Sequence, residues 1–182
     1  KEIVPVTYDA GKTTVSVSDD EGPHRFNEEK MRGLRPAFAK DGTVTAGNAS
    51  SINDGAAAVL VLSGTAAQET GVAPQAKILG YASSAREPEW FTLAPIAAIR
   101  ALLDRTGIGV DDVDLWEINE AFSVVPMAAA QDLGIEHDRL NILGGAVALG
   151  HPIGASGTRT LVTLLTALKH RGARLGVTAL CI

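Results

Sequence analysis

Cysteine is nearly absent: Cys181 is the only one in 182 residues. One thiol excludes an internal disulfide and fits a reducing compartment, so a cytoplasmic location is expected. Long hydrophobic runs are lacking as well. No apolar stretch reaches the roughly 18 residues that a membrane helix needs, and no membrane partner is expected. No basic block occurs, and the formal net charge is −5. A nucleic-acid partner is therefore not expected. What the chain does have is a hydrophobic fraction of 46%, which suits a packed core and does not suit disorder.

The first residue is Lys1, and the last seven residues, "GVTALCI", alternate like a strand with nothing after it. The expectation is a piece of a longer chain. Residues 1–47 read as irregular and polar. "KEIVPVTY" and "TTVSVS" are short strands about Asp9-Ala10-Gly11, "SDDEGPHRFNEEK" is a charged loop, and "GLRPAF" is an apolar anchor. Ala56 to Leu62 run unbroken, which predicts a strand buried on both faces. "GTAAQETGVAP" is a short helix and linker, and a domain boundary is placed near Pro74.

Beyond Pro74 the elements alternate. Strands are expected in "AKILGYASS", "DLWEINEAF", "NILGGAVALG" and "LGVTALCI". Helices are expected in "LAPIAAIRALLDRTG", "VVPMAAAQDLG" and "SGTRTLVTLLTALKHRG", with Gly107 and Gly172 as stops. The βαβαβαβ order argues for a layered α/β fold, with the last strand lacking a sheet neighbour.

Four stretches are candidates for chemistry. "GGAVALGHPIGASGTRTL" surrounds one imidazole, His151, with glycines and Pro152. It is neither a Walker A loop, since no Lys-Ser/Thr follows, nor a GxGxxG turn. Such a stretch can fix a reactive histidine beside a helix start, or hold a structural one in a tight turn. In "WEINEAF", Glu117, Asn119 and Glu120 stand at a strand end, where layered α/β folds carry sites. Asn119 there either polarises a carbonyl or caps the next helix, and Glu120 could orient a neighbour. Cys181 is either a small core hydrophobe or a functional thiol. "NASSINDGAAA" is either a ligand-facing backbone or a turn before a strand. His24, His137 and His170 sit among charged residues and read as surface groups.

"NASSINDGAAAVLVLS", "WEINEAF", "GGAVALGHPIGASGTR" and "ALCI" stand in the order and spacing found in thiolases. The chain resembles the C-terminal half of such an enzyme over nearly its whole length. Ile153 in "GHPIGASG" is similar to the biosynthetic, acetyl-CoA acetyltransferase type. The resemblance implies a thiolase-like layered α/β fold. Residues 1–47 would end a CoA-contacting loop region, 48–73 would hold the last strand and helix of the N-terminal domain, and 74–182 would form a truncated C-terminal domain.

The resemblance also implies roles. A cysteine in the N-terminal half takes the acyl group. His151 activates it and helps form an oxyanion hole, Asn119 holds a water that completes that hole, and Cys181 shuttles the α-carbon proton. Ser50 lies against the pantetheine arm, with Ala49 and Phe122 as neighbours. Leu34, Ala37 and Phe38 fall where the family contacts CoA, and Phe91 falls near the acyl pocket. No metal and no separate cofactor are implied, because the coenzyme A thioester is the substrate.

The implied reaction is reversible Claisen condensation of two acetyl-CoA to acetoacetyl-CoA and CoA. Partners would be those thioesters, the missing N-terminal half, and further copies in a homodimer or homotetramer. The chain departs from the family pattern in four ways. No "C-x-S-G" segment is present, so the chain alone is expected to be inactive. The glycine run that follows "CI" in the family is missing. Ser51 stands where glycine is common. The loop around His24 and Arg25 matches poorly where relatives place an arginine near the CoA nucleotide. Two other readings are a degradative 3-ketoacyl-CoA thiolase and an inert CoA-binding or partner module.

Overall fold

In a computed structural model that describes residues 2–181, the centre is a pair of parallel strands, β3 (Leu115–Ile118) and β4 (Gly176–Ala179). Leu115 pairs with Gly176 and Ile118 with Ala179. At the start of the pair, Asp114 accepts from the amides of Arg174 (2.8 Å) and Leu175 (2.9 Å). These bonds hold its carboxyl below the usual carboxylate range. The last strand therefore has a neighbour, contrary to expectation.

Side chains alternate across a strand, and β3 uses both faces. Trp116 and Ile118 join the main core with Ile99 and Leu103, on helix α4 (Ala94–Thr106), and Val125 and Ala129, on helix α5 (Val124–Leu133). Leu115 points the other way. It packs on Leu164 and Ala167 of helix α7 (Ser156–Arg171). Glu117 and Asn119 share that second face by the same period of two. The helix facing the sheet buries Ser156, Thr160, Thr163, Leu164 and Ala167, a stripe at helical spacing. It stops as expected at Gly172, whose φ of 65° is left-handed.

The N-terminal region holds an antiparallel hairpin of β1 (Val6–Ala10) and β2 (Thr13–Val17), as the turn signal predicts. Short helices α1 (Glu21–His24), α2 (Glu28–Arg32) and α3 (Gly64–Thr70) follow. The anchor expected in "GLRPAF" is not buried: Leu34 is 40% and Phe38 76% exposed.

Three expected strands are not formed. Residues 56–62 and 76–84 carry no strand assignment. Leu60, Val61, Ile78, Leu79 and Tyr81 are exposed rather than buried. A strand exists only beside a hydrogen-bonded neighbour, and among the described residues none lies along these segments. The third, 141–150, is a loop that ends in helix α6 (Ala146–Leu149). Leu140 makes a single bridge to Trp116, and then the Asn141 side chain takes over. Its Oδ1 accepts from the Ile118 amide (2.8 Å) and its Nδ2 donates to the Ile118 carbonyl (2.8 Å). One side-chain amide thus satisfies the end of β3 in place of a third strand.

Candidate active site

The chain leaves β3 at Asn119 and turns a corner before α5. The side chain of Asn119 does not cap that helix. It lies buried on the α7 side, with its Nδ2 3.3 Å from Nε2 of His151. His151 is half-buried and ends the loop after α6. Its Nδ1 is 2.5 Å from the hydroxyl oxygen of Ser156, the first residue of α7. Gly150 permits this path. Its φ is +97°, and a Cβ there would lie 2.4 Å from Oδ1 of Asn53.

The orientation of this group follows from Arg159. Arg159 has only donors, and its Nη2 lies 3.2 Å from Asn119 Oδ1. The amide NH2 of Asn119 therefore faces His151 and donates to Nε2. On the other side of the ring, the Ser156 hydroxyl donates to the Pro152 carbonyl at 3.0 Å. Its oxygen can then accept from Nδ1, which is compatible with the arrangement that the Asn119 donor sets: Nδ1 of His151 carries the proton and Nε2 is the basic nitrogen. Burial, and then the nearby Arg159 charge, lower the imidazole pKa below its ordinary 6.5. The ring is neutral at pH 7 with its lone pair at Nε2.

Beneath Asn119 lies an ion pair. Nη1 of Arg159 donates to Glu117 Oε1 at 3.1 Å and to Thr163 Oγ1 at 3.4 Å. The side chains of Arg159 and Glu117 are 18% and 2% exposed. Burial pushes the Glu117 carboxyl up to about 7, against the downward pull of Arg159, and Glu120 and Glu2 add to the rise. Glu120 accepts from the Val147 amide (3.1 Å) and from Asn141 Nδ2 (3.3 Å), tying the corner to the 141–147 loop.

Residues 48–52 staple the site together. The Ser50 amide and hydroxyl both donate to the Ala121 carbonyl, at 3.0 and 2.9 Å. Ala49 bridges Phe122, the Ser123 amide donates to the Asn48 carbonyl, and the His151 amide donates to the Ser51 carbonyl. Phe122 makes edge contacts with Phe38 (6.0 Å between centroids) and Phe91 (6.5 Å). Ala49, Ser50, Phe38, Phe91 and Phe122 thus gather on one corner. Leu34 flanks Gly47 and Ala37 is held by the Val44 carbonyl, both on the exposed loop before this segment. A cavity of about 400 Å³ opens between residues 53–57 and 152–155, and neither Asn119 nor Cys181 lines it.

Cys181 is buried in the main core cluster, just past β4. Burial raises its thiol pKa above 9.0, with a smaller opposing effect from its own backbone amide. His24, His137 and His170 are exposed. Among the described residues, no group of three or more His, Cys, Asp and Glu is disposed to hold a metal, and no helix is long and apolar enough to cross a membrane. Sequence reasoning gave no role to Ser156, Arg159 or Asn141. Ser156 and Arg159 lie three apart at the start of α7, a spacing that puts both on one helix face.

Residues 72–182 match the thiolase C-terminal domain and residues 1–65 the thiolase N-terminal domain. The chain belongs to the thiolase family. Among the thiolase relatives, the acetyl-CoA acetyltransferase of Yarrowia lipolytica is 56% identical over 99% of this chain and 45% of its own length. Two solved structures superpose closely. The Bacillus anthracis acetyl-CoA acetyltransferase matches with a TM-score of 0.94 and 42% identity, over 98% of this chain and 46% of that one. A thiolase of Ascaris suum, in complex with coenzyme A, matches with a TM-score of 0.85 and 44% identity, over 97% and 45%. The chain spans about half the length of the curated relatives it matches.

Proposed function

We propose that this thiolase chain is the C-terminal half of an acetyl-CoA C-acetyltransferase, which joins two acetyl-CoA into acetoacetyl-CoA and CoA, reversibly. The observation that carries the reading is the neutral His151, with its lone pair at Nε2 and the Asn119 amide donating to it. The relatives named acetyl-CoA acetyltransferase support the substrate.

The chemistry follows from that geometry. A nucleophilic cysteine outside this chain gives its proton to His151 Nε2 and attacks the acetyl-CoA carbonyl. The resulting oxyanion lies against Nε2–H and a water on Asn119. Fixed donors of this kind are worth about 3 kcal/mol each. The adduct collapses, the CoA sulfur leaves with the proton of Cys181, and an acetyl-enzyme and the Cys181 thiolate remain. That thiolate then removes the α-proton of a second acetyl-CoA. The enolate carbon attacks the acetyl-enzyme carbonyl, and the cysteine sulfur is expelled and takes back its proton from His151. A thiol held above pKa 9.0 is a strong base once ionised.

The pantetheine arm would lie along Ala49, Ser50 and Phe122. Phe38, Leu34 and Ala37 would stand nearer the nucleotide, and Phe91 nearer the acyl group. This chain on its own would not turn over. Its partners would be the N-terminal half and further copies, in a homodimer or homotetramer. The exposed Leu60, Val61, Ile78, Leu79 and Tyr81 support such association. A cytoplasmic setting is supported by a Gibberella zeae acetyltransferase 46% identical and named cytosolic.

A degradative 3-ketoacyl-CoA thiolase is the second reading. It is favoured by the likeness to the human mitochondrial enzyme of that name, with a TM-score of 0.87 and 34% identity. Thiolysis rates over a series of 3-ketoacyl-CoA chain lengths, measured on the whole protein, decide between the two. Preference for acetoacetyl-CoA supports the first, and preference for long chains overturns it. CoA binding without turnover would make the protein an inert binding module.

A further inference from the structure

We propose that Arg159 is a positioning residue for His151: anchored on Glu117, it fixes the Asn119 amide with its NH2 toward the imidazole, and so holds Nε2 as the unprotonated nitrogen. The use of Nε2 as a base rests on the proposed function. The positioning itself does not.

An asparagine amide can turn over at little cost when its surroundings accept either end. Here one end faces a guanidinium that can only donate, at 3.2 Å. Turned over, Asn119 would set NH2 against N–H of Arg159 and its carbonyl against Nε2. A carbonyl there favours a proton on Nε2, which is the wrong nitrogen for a base. Backbone contacts do not set the amide, since they fix only the main chain through the bond from the Asn119 amide to the Ala179 carbonyl. The guanidinium is the group that decides.

Arg159 in turn needs Glu117. Glu117 accepts from it at 3.1 Å, and the planar fork reaches Glu117 and Asn119 from two different nitrogens. Glu117 lies on β3 and Asn119 just past its end, two residues on and so on the same face, and Arg159 sits one turn into α7. A lysine keeps the charge but offers a single point, and cannot hold the pair in the same plane. The charged group acting on His151 is Arg159. Those acting on Glu117 are Arg159, Glu120 and Glu2.

The test is nitrogen-15 NMR of the histidine-labelled whole protein, free of substrate, across pH. The wild type is expected to show His151 as the Nδ1–H tautomer, titrating below 6.5. The double variant Glu117→Gln/Arg159→Met leaves no orphaned charge. It is expected to move His151 toward the Nε2–H tautomer and to raise its pKa. Its kcat for acetoacetyl-CoA thiolysis should fall by about 10²-fold, the scale of a positioned base, with KM changed far less. Arg159→Lys, which keeps the charge, should give a mixed tautomer with a low pKa. An Nε2–H wild type, or variants that keep the wild-type tautomer, overturns the proposal. If the tautomer moves as expected while the wild type shows no thiolysis, the positioning stands and the acetyltransferase reading falls.

Discussion

The Glu117 carboxyl gives a quantitative test. It is almost fully buried, and burial lifts it from an ordinary 4.5 to about 7. Below pH 4.5 both folded and unfolded chains hold the proton. Between 4.5 and about 7 the unfolded chain releases it while the folded chain keeps it. Stability from this group is therefore full below 4.5 and is lost as pH rises through about 7. At about 1.4 kcal/mol per pH unit, the loss is about 3 kcal/mol. Comparing pH 5 with pH 8 captures roughly 2 to 3 kcal/mol of it. Glu117→Gln keeps the shape and removes the titration. Urea unfolding of wild type and variant, at matched protein concentration, should give curves that diverge by that amount as pH rises. Other groups titrate in both proteins and cancel in the difference. Parallel curves would refute the reasoning, and so would a wild type that gains on the variant as pH rises.

Three further outcomes follow from the same geometry. Thiolysis by the whole protein should lose activity on the acid side through a pKa below 6.5, because neutral His151 is the active form; an acid limb above 6.5 contradicts that. Iodoacetamide should label Cys181 slowly below pH 9 in the folded protein and readily after unfolding, read by peptide mass, since burial holds the thiol up. Gly150→Ala should cost about 1 to 3 kcal/mol from the strained φ alone, plus displacement of Asn53, and appear as a lowered Tm.

Much of this was legible in the sequence. Helices α4, α5 and α7 follow apolar periodicity and end at glycines, so their positions were readable from local signals. The two central strands were readable as short apolar runs, but their pairing was not, since the last strand was expected to lack a neighbour. What failed was the strand reading of 56–62, 76–84 and 141–150. An apolar run shows that a segment wants cover, but the hydrogen-bonded neighbour comes from elsewhere in the fold. At 141–150 a single asparagine side chain replaces the strand, and no hydrophobic pattern encodes that. In the site, His151 and Asn119 stand out as polar residues at the ends of apolar runs. Arg159 does not, because an arginine in an amphipathic helix usually reads as surface. Only the period of two on β3, set against the face of α7, brings it beneath Asn119.

The staple formed by residues 48–52 has a consequence for motion. Three amides, those of Ser50, Ser123 and His151, connect it to both walls of the site. The three bonds meet within four consecutive residues, Asn48 to Ser51. The Phe122 corner and the His151 turn should then release together, as one cooperative opening unit, and these amide protons should exchange with solvent at a common rate. A ligand lying along that segment would slow all of them at once, even at the wall it does not touch.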